Sequence, residues 1–358
     1  MTLTRLELAQ FRSWPRLGLD LDDRPLAIFG PNGAGKTNIL EALSMLSPGR
    51  GLRNAAPGDQ ARQGPDAGWR IRAVIGEHQV ETGASPGESR KLIIDDKPAP
   101  QVALGRLLRL IWVTPAMDRL WTDPPESRRR FLDRLTLSLI PSHAETALAY
   151  DRAMRERNRL LRDEIRDDRW FRALETRMAQ AGAELTANRL AALDRIHAAQ
   201  ADAATGFPAA TLALLPGEGH ADDPDPDRIS ARLAATRPRD MAAGRSLTGP
   251  HRADLGAHWG PQDMPAALSS TGEQKALLLS LILANARALA AERPLLLLDE
   301  VAAHLDADRR AALYDEITAL PAQSFLTGTG RELFSALGPR ARYLSIHRDG
   351  GASAATEE

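Results

Sequence analysis

The feature that most constrains this chain is a glycine-rich segment of eight residues that begins at Gly30. Its sequence, GPNGAGKT, matches the phosphate-binding pattern G-x-x-x-x-G-K-[S/T] at every fixed position. The apolar run Leu26–Phe29 precedes it, and apolar residues at helical spacing follow from Ile39 to Leu46. Because a strand, a glycine loop and a helix in this order form a P-loop, the segment predicts a nucleotide-binding α/β domain.

The residue types in this loop have distinct expected roles. Glycines let backbone N–H groups close around phosphate oxygens, and the following helix directs its positive end at them. Lys36 is expected to reach the β- and γ-phosphates of ATP, and the Thr37 hydroxyl to ligate Mg²⁺. The predicted ATP-binding residues of the segment are Gly30, Pro31, Asn32, Gly33, Ala34, Gly35, Lys36, Thr37 and Asn38.

A second element is the apolar run Leu295–Leu298, which ends in Asp299 and Glu300. Its length suits a buried parallel strand, and ligands bind at the carboxyl ends of such strands. Asp299 is expected to hold Mg²⁺, directly or through water, and Glu300 to act as the catalytic general base on the attacking water. Any buried strand that ends at the surface has this pattern in isolation, but the P-loop upstream favours the functional interpretation.

A third element, Ser270-Thr271-Gly272-Glu273, begins a predicted helix shortly before the Asp299 strand. It resembles the signature sequence of ABC-type ATPases, in which the helix N-terminus faces the γ-phosphate bound to a second subunit. The same residues also form an ordinary helix cap, so the order and spacing of the elements carry the interpretation. Asp306, two residues after His304, has the spacing of the loop that crosses between two ATPase subunits. The prediction is an ATP-dependent homodimer with two ATP molecules between its heads.

The rest of the chain predicts an ABC-type ATPase head interrupted by helices. Short alternating runs between Trp69 and Ile94 are typical of antiparallel strands, and the pattern from Pro125 to Ala204 is helical. The predicted fold class is α/β: a P-loop parallel sheet plus an antiparallel β subdomain, with a helical, coiled-coil-like arm inserted. The expected division is 1–115 and 246–350 for the head, 116–245 for the arm or lid, and 351–358 for a disordered tail.

Composition limits the class of protein. Hydrophobic residues make up 43% and charged residues 26%, and no stretch approaches the roughly 18 apolar residues of a membrane span. The N-terminus lacks the features of a signal peptide, and there is no cysteine. A cytoplasmic protein without membrane contact is therefore expected. Its net charge of −1 conceals a dense run of arginines from Arg128 to Arg177, which is typical of a phosphate-binding patch or of a solvated helix face.

Several further motifs are similar to those of the RecF family. They are the opening Leu6-x-Leu8-x-x-Phe11-Arg12, the stretch Arg128-Arg129-Arg130-Phe131-Leu132-Asp133, Gly249-Pro250-His251-Arg252-x-Asp254, and Phe325-Leu326-Thr327-Gly328-Thr329. They occur in order from about residue 3 to residue 330, and the last three are not general ABC features. The chain is therefore identified as resembling this family over most of its length.

The resemblance implies an ATP-dependent DNA-binding clamp that acts in replication and recombinational gap repair. It implies binding to double-stranded DNA and to junctions with single strands, cooperation with RecR and RecO in loading RecA, and slow, DNA-stimulated ATP hydrolysis with Mg²⁺. Arg12 is implied near the nucleotide. The DNA-contact candidates are Arg128, Arg129, Arg130, Arg152, Arg155, Arg159 and Arg162.

Three positions and one absence depart from the family pattern. Glu300 replaces a second aspartate, Gly330 replaces an aspartate after Thr-Gly-Thr, Thr271 replaces a frequent glutamine, and no glutamine stands near Thr114–Leu120. Gly330 removes an expected contact near the γ-phosphate, and the absent glutamine removes one expected Mg²⁺ ligand, whereas Glu300 keeps the carboxylate chemistry and Thr271 is neutral. The main alternative function is a transporter ATPase subunit, against which the arginine-rich insertion argues.

Overall fold

A computed structural model describes residues 1–63, 68–203, 205–217, 224–260, 263–303 and 305–358. The predicted α/β fold class is confirmed. The strands are β1 Leu3–Phe11, β2 Trp14–Asp20, β3 Leu26–Phe29, β4 Trp69–Ile75, β5 His78–Ala84, β6 Lys91–Ile94, β7 Lys97–Pro98, β8 Leu110–Val113, β9 Ala210–Leu215, β10 Asp254–Trp259, β11 Met264–Pro265, β12 Leu295–Leu298, β13 Gln323–Gly328, β14 Arg342–Asp349 and β15 Ala352–Glu357.

The α-helices alternate with these strands early and late in the chain and dominate its middle. They are α1 Lys36–Ser44, α2 Leu104–Leu107, α3 Pro125–Leu139, α4 His143–Arg162, α5 Asp168–Ala201, α6 Pro226–Ala243, α7 Thr271–Ala288 and α8 Ala307–Ala319. Although α5 has 34 residues, no helix among the described residues is both long and apolar enough to cross a membrane.

The chain forms two compact units. We call one the P-loop unit; it comprises Met1–Asp118, Ala204–Gly206 and Ile282–Glu358. We call the other the helical unit; it comprises Arg119–Ala203 and Phe207–Leu281.

A mainly parallel sheet organises the P-loop unit. Its strand order is β15-β14-β3-β13-β12-β8, and all neighbours run parallel except the β15–β14 pair. The strands LAIF, LLLL and LIWV are buried along their whole length, as continuous apolar runs in a covered parallel sheet should be. Because β3, β13 and β12 are adjacent and parallel, the residues that follow them meet at one edge of the sheet.

An antiparallel sheet, ordered β2-β1-β4-β5-β6-β7, completes the P-loop unit. In β4 the residues Trp69, Ile71, Ala73 and Ile75 are buried, whereas Arg70 and Arg72 are exposed. This alternation is expected when one face packs on the core and the other faces water. Trp69 contacts Phe11 edge to face, with ring centroids 5.4 Å apart.

The helical unit is built on α4 and α5, whose buried residues share one apolar cluster with α6. Gly182 of α5 brings its backbone close to the Tyr150 ring of α4, since a Cβ there would lie 3.2 Å from that ring. Arg157 is fully buried between these helices and is paired with Asp240 at 2.7 Å and Glu175 at 3.1 Å. A buried charge needs such partners, so this ion-pair network fixes how the helices pack.

Two boundary predictions need correction. Residues 246–281 were assigned to the ATPase head, but they belong to the helical unit, where β10 pairs in antiparallel register with β9. Residues 351–358 were expected to be disordered, but Ala352–Glu357 forms β15, which pairs with β14. The backbone groups of the tail are satisfied by that pairing. Its small and polar composition carries no strand signal that would have predicted it.

Candidate nucleotide-binding site

The P-loop connects the end of β3 to the start of α1. Gly30 has φ 150° and Gly35 has φ 112°, which are conformations that favour glycine. A Cβ at Gly30 would also clash with the carbonyl oxygen of Ile346. Gly35 is the N-cap of α1 and supplies no side-chain cap, so the first N–H groups of the helix are available to an anion.

Thr37 on α1 and Asp299 after β12 meet directly. The Thr37 hydroxyl donates to Asp299 Oδ1 at 2.9 Å, and Asp299 is only 5% exposed. The Asp299 amide donates to the Val113 carbonyl at 3.0 Å, which continues the β8 pairing beyond the strand. The structure therefore brings together the two side chains that the sequence analysis assigned to Mg²⁺.

Thr327, near the end of β13, is a site residue to which the sequence analysis gave no role. Its fully buried hydroxyl donates to Asp299 Oδ1 at 2.6 Å and accepts from the Glu300 amide at 3.0 Å. One hydroxyl thus fixes both the carboxylate of Asp299 and the backbone of Glu300. Threonine is common in strands, so the only signal in the sequence was its place in the family-like stretch Phe325–Thr329.

Glu300 faces a pocket of about 330 Å³ on the same sheet edge. Its own φ is 52°, an uncommon value for a residue with a side chain. The residues lining this pocket are Asn32, Gly33, Gly35, Lys36, Thr37, Asn38, Arg53 and Glu300. Six of the predicted ATP-binding residues and the predicted general base therefore share one cavity.

Lys36 lies inside the loop, with its Nζ donating to the carbonyls of Gly30 at 2.7 Å and Pro31 at 3.0 Å. Burial lowers the pKa of this ammonium group, and the negative charges of Glu300 and Asp299 oppose that shift. The site can therefore stabilise the charged lysine further by accepting an anion.

Arg12 is held by a buried carboxylate. Its Nε donates to Glu41 Oε2 at 2.9 Å, and Glu41 is fully buried on α1. Arg53 also pairs with Glu41, at 2.9 Å, and donates to Asn38 Oδ1 at 2.8 Å. The two arginines thus balance one buried charge beside the loop, and no local spacing in the sequence pairs either arginine with Glu41.

Gly330 lies in the P-loop unit just beyond β13. A Cβ at this position would clash with the carboxylate of Glu332. An aspartate could not be placed there unless Glu332 moved. The space that an aspartate side chain would enter at position 330 is therefore occupied by the carboxylate of Glu332.

The signature residues begin α7 with reciprocal capping bonds. The Ser270 amide donates to Glu273 Oε2 at 2.8 Å, and the Glu273 amide donates to Ser270 Oγ at 3.4 Å. Hydrogen bonds from Ser270 lower the pKa of the Glu273 carboxyl. Ser270, Thr271 and Gly272 are exposed, and a Cβ at Gly272 would meet nothing within 4 Å. Another molecule could therefore approach this helix end closely.

Asp306 is the N-cap of α8, where its carboxylate accepts from the Arg309 amide at 2.8 Å. The side chain is 60% exposed, so an additional partner can reach it. His304 lies outside the described residues.

The arginines of the Arg128–Arg130 cluster have partners inside the helical unit. Arg128 pairs with Asp254 at 2.7 Å, and Arg129 Nη1 donates to the Ala253 carbonyl at 2.8 Å. Arg130 pairs with Glu126 on its own helix. The family motifs around Arg128 and Asp254 therefore bind each other, and the Arg128 guanidinium is engaged inside the helical unit.

The arm arginines are placed differently. Arg152, Arg155, Arg159 and Arg162 are exposed, and their spacing puts them on one face of α4. Arg155 pairs with Asp151. For the other three, the described part of the chain supplies no side-chain ion pair. This face is an exposed basic surface of the helical unit.

The residues present fit a P-loop Mg²⁺ site. Such sites use one hydroxyl, one carboxylate and phosphate oxygens, and Thr37 and Asp299 supply the first two within 2.9 Å of each other. Within the described ranges no cluster of three or more His, Cys, Asp or Glu forms a protein-only metal site.

Sequence comparison gives close relatives over the whole chain. The AAA domain family matches residues 5–99. DNA replication and repair protein RecF of Mesorhizobium japonicum is 46% identical over a gapped alignment of 376 positions, which covers 99% of this chain and 98% of the relative. The protein of the same name from Brucella suis biovar 1 is 44% identical over 375 residues, covering 97% and 94%.

Solved structures agree on the fold. The recombination mediator protein RecF-ATP of the RecFOR pathway superposes with a TM-score of 0.83 at 20% identity, covering 100% of this chain and 99% of that one. The Smc head domain from Pyrococcus furiosus gives 0.57 at 16% identity, covering 99% and 96%. With relatives of this identity along nearly its full length, the chain belongs to the RecF family of DNA replication and repair proteins.

Proposed function

We propose that this protein is an ATP-dependent DNA-binding clamp that acts in recombinational gap repair. The observation that carries the proposal is the 2.9 Å hydrogen bond from Thr37 to Asp299, which joins the P-loop to the acidic strand end beside Glu300. Family membership supports the DNA repair role, and a family of DNA repair proteins gives no support to the transporter alternative.

The chain's own residues suggest how ATP would be handled. The amides at the start of α1 and the Lys36 ammonium bind phosphate oxygens, and Thr37 with Asp299 would hold Mg²⁺. When bound, the ion neutralises charge on the β- and γ-phosphates. Glu300 orients a water molecule and accepts a proton from it as the water oxygen bonds to the γ-phosphorus. The bond from the γ-phosphorus to the β,γ-bridging oxygen breaks, and ADP leaves with that oxygen. Thr327 holds the Asp299 carboxylate and the Glu300 backbone in the positions that these roles require.

The exposed signature helix suggests that hydrolysis needs a second copy. Ser270 Oγ accepts the Glu273 amide, and its hydroxyl proton, which here bonds to the Glu273 carboxylate, would turn to a γ-phosphate on the partner. The open space at Gly272 allows close approach. Two ATP molecules would then bridge two subunits. Because a reaction that waits for dimerisation turns over slowly, hydrolysis suits a switch that releases DNA.

The basic face of α4 is the proposed DNA surface. Arg152, Arg159 and Arg162 offer exposed guanidinium groups along one face of the helix. Arg155 would also contact a phosphate once its ion pair with Asp151 is broken. Such contacts suit duplex DNA and duplex–single-strand junctions. RecO and RecR are proposed partners in RecA loading, which the pathway of the related RecF structures supports. This work would take place in the cytoplasm.

The experiment is a binding titration on a duplex that carries a single-stranded gap, with and without ATP. The native chain should bind more tightly with ATP and form a dimer in parallel, and Lys36→Met should lose both effects. The matched control is Lys97→Met, which removes an exposed lysine from β7. Binding by the native chain that is indifferent to ATP would refute the clamp mechanism.

A further inference from the structure

The hairpin of β14 and β15 lies against the outer side of the P-loop. Arg348 donates to the Gly33 carbonyl from Nε at 3.0 Å and from Nη2 at 2.8 Å. Ser353 Oγ donates to the Ala34 carbonyl at 2.5 Å. Trp14 Nε1, on β2, donates to the Gly35 carbonyl at 3.2 Å. Three successive carbonyls of the loop are therefore each held by a side chain from outside it.

Holding a carbonyl fixes the amide that follows it. In a trans peptide the C=O of one residue and the N–H of the next lie in one plane and point in opposite directions. The three bonds therefore orient the N–H groups of Ala34, Gly35 and Lys36. The first closes the turn onto the Pro31 carbonyl at 3.2 Å, and the other two lie at the uncapped start of α1.

The Ser353 contact is part of a longer chain of polar groups. Asn38 Nδ2 donates to Ser13 Oγ at 2.7 Å, and Ser13 Oγ lies 2.6 Å from Ser353 Oγ. Since the Ser353 proton goes to a carbonyl, the proton between the two hydroxyls comes from Ser13. The Ser353 amide also donates to the Ser13 carbonyl at 2.9 Å. Ser353 is 5% exposed, and a buried polar chain of this kind strengthens cooperatively.

We propose that Arg348 and Ser353 are positioning residues for the nucleotide. Ser353 aims the Gly35 amide at the phosphates from behind the loop, Arg348 holds the turn of the loop through the Ala34 amide, and neither side chain itself touches ATP. The C-terminal hairpin is then a functional part of the nucleotide site. This inference rests on the proposed ATP binding at the P-loop.

The expected effects follow from the loss of one orienting bond. Ser353→Ala should weaken the binding of both ATP and ADP about fivefold, because both nucleotides carry the β-phosphate that these amides bind. The rate at saturating ATP should change by less than about twofold, since the amides bind phosphate in the ground state and in the transition state alike. Ser353→Thr keeps the hydroxyl and should recover most of the affinity. Arg348→Lys keeps the charge but loses the paired donors, so it should also bind more weakly.

The test measures nucleotide affinity by titration calorimetry, thermal stability, and the steady-state KM and kcat of hydrolysis for each variant. Thr356→Ala and Arg342→Ala are the controls, because they remove a hydroxyl from β15 and a guanidinium from β14 without touching the loop. Weaker binding and a raised KM for Ser353→Ala and Arg348→Lys, with native binding by both controls, is the predicted result. Native affinity in Ser353→Ala, or an equal loss in Thr356→Ala, would overturn the proposal. If the native chain bound ATP no more tightly than Lys36→Met, the proposed function itself would be refuted, independently of Ser353 and Arg348.

Discussion

The hydroxyl of Thr327 donates a 2.6 Å hydrogen bond to the Asp299 carboxylate, and the two residues end neighbouring parallel strands. The same hydroxyl accepts the amide of Glu300, whose φ is 52°. A backbone in that region costs free energy unless its surroundings hold it. Thr327 therefore links the geometry of the predicted metal ligand to that of the predicted general base.

Replacing Thr327 by valine should impair hydrolysis more than ATP binding. Valine conserves the shape but leaves the Glu300 amide without its acceptor, at a cost of roughly 1–3 kcal/mol in stability. We expect kcat to fall by about tenfold, because the base is no longer held in place. Steady-state ATPase assays and urea unfolding check this. Thr186→Val, which removes another buried hydroxyl, one that donates to the Gly182 carbonyl of its own helix, should hydrolyse ATP at the native rate. An unchanged kcat in Thr327→Val would contradict the linkage.

Glu300→Gln should separate binding from chemistry. Glutamine fills the same space but cannot accept the proton of the attacking water, so kcat should fall by about 10²–10⁴-fold. ATP affinity should stay within about threefold of native, because Lys36 and the P-loop amides are intact. Single-turnover hydrolysis and equilibrium ATP binding measure the two quantities. Glu292→Gln, outside the pocket, is the control. Native hydrolysis by Glu300→Gln would show that another group acts as the base.

Much of this site could be predicted from the sequence because its elements are local. The loop from Gly30 to Thr37 and the strand ending at Asp299 each have a residue pattern that carries their chemistry within a few positions. Thr327, Arg348 and Ser353 could not be predicted in the same way. Their roles arise from contacts between segments far apart in the chain, and no local spacing encodes such contacts.

The arm arginines should account for the salt dependence of DNA binding. Replacing Arg152 and Arg159 together by alanine should weaken binding to all duplex sequences and reduce the slope of log K against log salt by about 2, since each phosphate contact contributes about 0.9. Fluorescence anisotropy between low and moderate salt measures the slope. Arg309→Ala with Arg340→Ala, exposed in the P-loop unit, should leave it unchanged. An unaltered slope in the arm variant would remove α4 as the DNA surface.

Arginine-rich sequence alone could not separate these residues from Arg128. Both groups lie on helices in one dense basic run. Arg128 differs because Asp254 approaches it from a strand 126 positions further along the chain. In the sequence Asp254 belongs to a family-like motif that gives no sign of its partner. Only the fold shows that it pairs with Arg128.

Acid should weaken the helical unit through Asp133. Burial works to raise the pKa of this carboxyl, but the charge of Arg189 and hydrogen bonds from His143 and Arg189 outweigh it and lower the pKa from 3.8 to about 2. A carboxyl with a lowered folded-state pKa stabilises the fold above its unfolded value of 3.8, and this contribution is lost as the pH falls through about 2.

Asp133→Asn should therefore lose less stability than the native chain between pH 4 and pH 2. The difference should be on the order of 1 kcal/mol, because the side chain is partly exposed and solvent screens the pair. Urea unfolding across this range measures it, with Asp20→Asn, an exposed substitution on β2, as control. Parallel pH profiles for native and Asp133→Asn chains would contradict the assignment.

The central claim is that ATP is held between two copies of this chain, with Ser270 of each copy meeting the phosphates on the other. Sedimentation velocity with ATP tests this claim most directly in the Glu300→Gln variant, because slowed hydrolysis leaves the dimer time to be observed before it dissociates. We predict that Glu300→Gln sediments as a dimer with ATP and as a monomer without it. Adding Ser270→Arg, which puts a bulky side chain at the open end of α7, should leave a monomer that still binds ATP. A dimer that persists in the double variant, or that forms equally without ATP, would contradict the account.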